Sequence, residues 1–312
     1  MMIAVDLEMN PMHTKKYKIG IDIGGTKILG LLVDAEHRIV KECQYPTFNE
    51  NGILDWKEAL YKTASYLCRQ TEAGTIGHMS IACAGLINTK TGTIVYSQSL
   101  NVHQLKLADE LTAAFAVPVS LYNDADAAAF AEAAFYQKES LLYISVGTSI
   151  GSGLILNGSI FNGAGGMAGE IGHIPVELEG RSCPCGNNGC VRAYASGKAM
   201  EQEALQWQQK HGQERLLMPD VLSAAEKGDP YYEKLLQNAA SRLAQAAAAA
   251  VHLLNPSMIV FGGGIIENSP FYFQHTKKSV YAGILPGFST ILDIKESHWQ
   301  EKSAALGSIY LV

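Results

Sequence analysis

The chain predicts an α/β fold of two related domains, with mixed sheets flanked by helices. Three observations carry that expectation. β-rich runs alternate with helical periodicities along most of the sequence. A strand–glycine turn–strand pattern occurs twice, roughly 120 residues apart, which points to two facing domains rather than a short solenoid repeat. At 312 residues the chain is long enough for two domains and a large buried core.

The elements follow in order. Tyr17 to Asp34 reads as strand, tight turn at Gly24-Gly25-Thr26, strand. Arg38 to Tyr45 is a third strand stopped by Pro46, Leu54 to Gln70 has helical periodicity, and Gly77 to Ala84 is a buried strand. Leu107 to Phe115 is amphipathic, Val117 to Tyr122 is a strand, and Ala125 to Phe135 is an alanine-rich helix. Leu142 to Asn157 repeats the opening hairpin around Gly147 to Gly151. Pro230 to Leu254 is the strongest helical segment, ended by Asn255-Pro256. Ser257 to Phe261 is a strand running into Gly262-Gly263-Gly264.

Composition excludes several classes. A net charge of −6 with no basic stripe lacks the electrostatic footprint of a nucleic-acid binder. Met1 to Lys18 has no apolar core long enough for a secretion signal. The longest apolar run, Ala246 to Leu254, is too short to span a bilayer. Cys43, Cys68 and Cys83 are scattered, as free thiols are in a reducing compartment, so the cytoplasm is the expected location.

The most specific signal is a histidine followed by clustered cysteines: His173, Cys183, Cys185 and Cys190. Cys-x-Cys-x4-Cys on a glycine-rich turn plus one imidazole completes a tetrahedron for a structural Zn2+, leaving no open position. The alternatives are reduced buried cysteines or a disulfide. A zinc-pinned loop would aim Glu170 and His173 outward, where a carboxylate and a ring N–H suit a hydroxyl-rich ligand.

Asp22-x-Gly24-Gly25-Thr26-Lys27 suits a polyphosphate. Glycines admit backbone N–H groups to phosphate oxygens, Thr26 and Lys27 add a hydroxyl and a cation, and Asp22 can hold Mg2+ through water. An ordinary β-hairpin is the plain reading. Gly147, Thr148, Ser149 and Gly151 form a second clamp of the same kind; the G-x-S-x-G match to a nucleophile elbow would need a helix where a strand is expected. Gly262, Gly263 and Gly264 allow flat contact with a nucleoside. Asp124, after a strand and before a helix, is either an N-cap or a general base for a substrate hydroxyl.

Taken together these motifs resemble the ROK family (repressors, open reading frames, kinases) of the actin-like ATPase superfold. The resemblance runs from about residue 17 to the end. It implies a hexokinase-type, ribonuclease H-like pair of domains. Residues 1–123 would form the smaller domain and 124–300 the larger, with a zinc loop at 173–190 and a C-terminal helix near 301–312 packing back on the first. It also implies a homodimeric sugar kinase using ATP and Mg2+ on the 6-hydroxyl of a hexose such as allose, glucose or an N-acetylhexosamine. By carry-over Asp124 is the base, and Gly85, Asn101, Asn123, Glu170 and His173 face the sugar. Only sixteen residues precede Tyr17, where the first glycine-turn hairpin begins, against some tens in the DNA-binding branch, which favours the kinase branch.

Four positions depart from the family pattern: Arg192 replaces a glutamate sugar contact, Ala84 a proline, Asp126 an asparagine, and Ser99 stands before Leu100 where asparagine is usual. Arg192 therefore joins the candidate sugar residues, and it supports the alternative of a catalytically weak sugar-sensing regulator.

Overall fold

The computed structural model describes residues 16–48 and 51–312; most of the N-terminal stretch discussed above lies outside them. In chain order the elements are β1 (Tyr17–Ile23), β2 (Lys27–Val33), β3 (Ile39–Pro46), α1 (Trp56–Cys68), β4 (Ile76–Cys83), β5 (Leu86–Asn88), β6 (Thr93–Ser97), β7 (Val102–Leu105), α2 (Leu107–Phe115), β8 (Val119–Asn123) and α3 (Asp124–Tyr136). There follow β9 (Leu141–Val146), β10 (Ile150–Leu156), β11 (Ser159–Ile160), α4 (Arg192–Ala195), α5 (Gly197–Lys210), α6 (Met218–Glu226), α7 (Pro230–Leu254), β12 (Met258–Gly262), α8 (Gly264–Asn268), α9 (Pro270–Gly283), β13 (Asp293–Glu296) and α10 (Ser303–Tyr310).

Two five-stranded sheets share one plan. The first has the order β3-β2-β1-β4-β8, the second β11-β10-β9-β12-β13. In each, a glycine-turn hairpin and its next strand pair antiparallel, and the strands beyond pair parallel. The sequence echo is thus an echo of topology. A small antiparallel sheet, β5-β6-β7, sits beside the first.

Each sheet has its own core. Ile19, Ile21, Met79 and Ile81 pack with Leu60 and Leu67 of α1 and Leu111 of α2. Leu142, Ile144, Ile259 and Phe261 pack with the alanine face of α7 and with Tyr272 and Phe273 of α9. Local signals explain the boundaries of α7: Asp229 accepts the N–H groups of Tyr231 and Tyr232, Pro230 fills the first turn, and Asn255 ends the helix left-handed at φ 47°. β8 starts at Val119 rather than Val117, because Pro118 has no N–H to donate to a ladder.

Two helices join the halves. α3 lies on the second sheet, where a Cβ at Gly153 would stand 2.3 Å from Ala125 O. α10 lies on the first, where a Cβ at Gly20 would stand 2.3 Å from Ala305 O. The two helices cross backbone to backbone, since a Cβ at Gly307 would overlap Ala127 O at 1.7 Å. Small residues are what allow this approach. Beside the crossing, the fully buried Glu132 of α3 accepts from Ser297 Oγ (2.5 Å), Ser303 Oγ (2.8 Å), His298 N (3.0 Å) and Trp299 N (3.2 Å), pinning the turn before α10. Among the described residues no helix is long and apolar enough to cross a membrane.

Candidate active site

The junction of the halves gathers most of the expected residues. Asn123 ends β8 and caps α3: its Oδ1 accepts from Ala125 N (2.9 Å) and Asp126 N (3.1 Å), while its Nδ2 donates to Gly85 O (3.1 Å). The cap is therefore Asn123, and Asp124 occupies the first helical position, where its Oδ1 also accepts from Ala125 N at 2.9 Å. Asn123 spends its carboxamide on the scaffold and keeps one N–H for a ligand.

Asp124 shares its surroundings with Asp22 at the end of β1. Burial pushes Asp22 up to about 8, the Asp124 charge adds to the rise, and Lys27 opposes it. Burial also raises Asp124, against the lowering effect of the Ala125 N–H. Burial, then the charges of Asp124 and Glu170, push Asp126 up to about 7. Asp22 Oδ1 is enclosed with no hydrogen-bond partner. A buried carboxylate oxygen without a donor fits a hydrated Mg2+ as its missing partner.

The two hairpin turns face this cluster. In the first, Gly24 N donates to Lys27 O (3.0 Å), and Thr47 ties the loop down by donating Oγ to Gly24 O (3.0 Å) and N–H to Thr26 O (2.9 Å). The outer face of Gly25 is open, and Thr26 is exposed. In the second, Gly147 N donates to Ser149 O (2.9 Å), with Thr148 and Ser149 exposed. β10 follows Ser149 directly, so the nucleophile-elbow geometry is absent. Gly151 lies against Ala125, bringing this hairpin to the start of α3. The glycine run reaches the same turn: Gly263 has φ 88°, and a Cβ there would stand 2.7 Å from Val146 O. Gly262 ends β12, and Gly264 opens α8 rather than extending a loop.

On the other side, the turn Ile171–His173 packs on β10, where Ser152 Oγ donates to Gly169 O and accepts from Ile171 N. This holds Glu170, 64% exposed, beside His173 at 4.0 Å. His173 presents Nδ1 to Cys183 Sγ (3.8 Å) and Nε2 to Arg192 Nη1 (3.5 Å). The ligand atoms of His173, Cys183, Cys185 and Cys190 all lie within 4.8 Å of one another, and Cys185 Sγ stands 3.7 Å from Cys190 Sγ. A tetrahedron with Zn–S bonds of about 2.3 Å has edges of about 3.8 Å, so the spacing suits a zinc. It does not suit a disulfide, and all six cysteines are free. The Asn187 N–H draws the Cys185 thiol down to about 6, whereas burial pushes Cys190 up to about 12.

Asn101 is exposed at a left-handed turn (φ 52°) with its N–H on Gln98 O; its neighbour Leu100 donates to Ser97 Oγ, which donates to Ala84 O next to Gly85. Sequence reasoning missed Glu132 and Glu301. An acidic residue between Ala131 and Ala133 on the buried side of an alanine helix was a readable sign of the first. Glu301 pairs with Lys27 across 274 positions and has no local sign.

Two sheets of one topology, joined through crossed helices, with an acidic side chain between paired glycine turns, define the hexokinase-type two-domain fold of the actin-like ATPases. The chain belongs to the ROK family, whose model matches residues 18–312. The glucokinase of Thermotoga maritima is 28% identical over 308 residues, spanning 94% of this chain and 96% of that protein. The xylose repressor of Bacillus subtilis is 29% identical over 302 residues, spanning 95% of this chain and 77% of the repressor. The structure of a ROK family glucokinase from Streptomyces griseus with glucose and AMPPNP superposes with a TM-score of 0.83 at 25% identity, covering 95% of this chain and 99% of that one.

The raised Asp22 carboxyl has a consequence for stability without ligands. Its ordinary value is 3.8, and its folded value is about 8. Between these the unfolded chain has lost the proton that the folded chain keeps, so stability falls as pH rises through that window. Asp22→Asn is expected to stabilise the metal-free protein at pH 8 by about 1–2 kcal/mol, because solvent at the half-buried site screens part of the full shift. Thermal melts should show a rise of about 4 °C at pH 8 and none at pH 4.

Proposed function

We propose that the chain is an ATP-dependent hexose kinase, a phosphotransferase with an alcohol acceptor, acting at the 6-hydroxyl of allose, glucose or an N-acetylhexosamine. The observation that carries this reading is the position of Asp124. It stands at the start of α3, next to Asp22 of the first hairpin and one residue before Ala125, which touches Gly151 of the second. A carboxylate raised by burial is a stronger base toward a hydroxyl than an exposed one.

In this reading the amides and hydroxyls of Gly24, Gly25, Thr26, Gly147, Thr148, Ser149 and Gly151 grip the phosphates, and Gly262 to Gly264 pass along the nucleoside. Asp22 would hold Mg2+, which supplies neutralising charge to the phosphates when bound. Glu170 accepts sugar hydroxyl hydrogens, the free N–H of Asn123 donates one, and Asp124 takes the proton of the attacking hydroxyl. Zn2+ on His173 Nδ1 and the three thiolates would fix the loop that carries Glu170.

A coupled ADP-release assay over a panel of hexoses tests the proposal, and turnover with at least one sugar is the expected result. One contact favours a second reading, a sugar-sensing regulator. Arg192 Nη1 lies 3.5 Å from His173 Nε2, so a guanidinium charge stands where the family pattern has a sugar-binding glutamate, beside the ring nitrogen that would face the sugar. A sugar that raises the melting temperature while none is phosphorylated would select that reading.

A further inference from the structure

Lys27 is the cation of the first glycine turn, yet a protein carboxylate already holds it. Its Nζ forms an ion pair with Glu301, both side chains being about two-fifths exposed (37% and 40%). Glu301 lies in the turn Gln300–Lys302, which comes from the second half of the molecule after β13. Two neighbouring contacts hold that turn rigidly: Glu132 binds its N-terminal side through Ser297, His298 and Trp299, and Lys302 pairs with Glu42 of β3 at 2.7 Å. The Glu301 carboxylate is thus presented to Lys27 from a fixed base.

The surroundings add a second feature. Glu267 of α8, just beyond the glycine run, has an enclosed Oε1 with no hydrogen-bond partner, and it interacts electrostatically with both Glu301 and Lys27. Asp22 also interacts with Lys27. One ammonium therefore serves three carboxylates at the place where both glycine turns and the glycine run converge. A carboxylate oxygen and a phosphate oxygen are interchangeable partners for a lysine.

Building on the kinase reading, we propose that Glu301 stands in for a donor phosphate oxygen on Lys27. It is then a positioning residue that sets the affinity for the phosphoryl donor. The triphosphate displaces Glu301 from Lys27 on binding, and the lost pair subtracts from the donor's apparent affinity. A half-exposed pair contributes modestly, so the effect is a few-fold rather than orders of magnitude.

Titration calorimetry with Mg-ATP tests this without requiring sugar turnover. Glu301→Gln is expected to lower the Kd about threefold, and Lys27→Ala to raise it. In the Lys27→Ala background, Glu301→Gln should have no further effect. Lys302→Ala removes the neighbouring pair with Glu42 while Glu132 still holds the turn and the Lys27–Glu301 pair remains, so it should leave the Kd unchanged. An unchanged or weaker Kd in Glu301→Gln overturns the assignment, as does an equal gain in Lys302→Ala. Failure of the unaltered protein to bind Mg-ATP at all would instead overturn the kinase reading itself.

Discussion

Asp124→Ala is expected to lower kcat for hexose phosphorylation by about a thousandfold, within the range of removing a general base, with sugar and ATP binding retained. The fold should survive, because the cap of α3 is Asn123, whose bonds to Ala125 N and Asp126 N do not involve Asp124. Removing the Asp124 charge also removes a repulsion on Asp22 and Asp126, so both give up their protons more readily in the variant. Loss confined to kcat, with KM for the sugar nearly constant, marks an interaction made in the transition state rather than in binding. The pH profile has a defined sign: the base works ionised, so the rate falls as pH drops through its raised value. Steady-state kinetics on purified protein decide the matter. A variant keeping more than about a tenth of the rate shows that Asp124 is not the base.

Much of the fold was legible because its punctuation is local. Gly24-Gly25 and Gly147 mark hairpins that the structure contains, and α7 matches its expected span because Pro230, Asn255 and Pro256 act on their own backbone. The metal-type cluster was legible for the same reason, its ligands lying in one short segment. Between Cys190 and Pro230 Arg192 was singled out but no helix was assigned, although Ser196 caps α5 by accepting from Ala199 N and Pro219 lies in the first turn of α6. There the polar residues of α5 obscure the helical period. What no local rule reaches is the junction. Glu132 meets Ser297 and Ser303 across 165 and 171 positions, and Gly307 is constrained by Ala127 on another helix. Such contacts depend on how two sheets are brought together, and only the assembled fold states that. The same limit applies to Asp124: its place in the chain left a cap and a general base both open, and only the fold sets Asp22 beside it.

Removing metal from the cysteine loop is expected to weaken sugar recognition before it unfolds the protein. Three neighbouring thiols cannot all ionise without a cation among them, so apo-protein should relax the segment from His173 to Cys190. The rest of that half is held by the core around α7 and α9, which limits the loss to local opening. Glu170 and His173 sit at one end of the segment, tied to β10 by Ser152 and to the cluster by Nδ1 of His173. Once the second tie is gone, Glu170 loses its fixed position, and KM for the sugar should rise about 10- to 100-fold, with a smaller change in KM for ATP. Cys190→Ser should reproduce the effect of a chelator, because Cys190 is buried and its thiol faces Cys185. Elemental analysis should find one zinc per chain in the unaltered protein and none in the variant. Thiol titration supplies the independent readout: His173, Cys183, Cys185 and Cys190 holding a metal leave those three thiols slow to react until a chelator is added. Metal-free protein with full sugar affinity would show instead that Ser152 and the β10 contacts suffice to place Glu170.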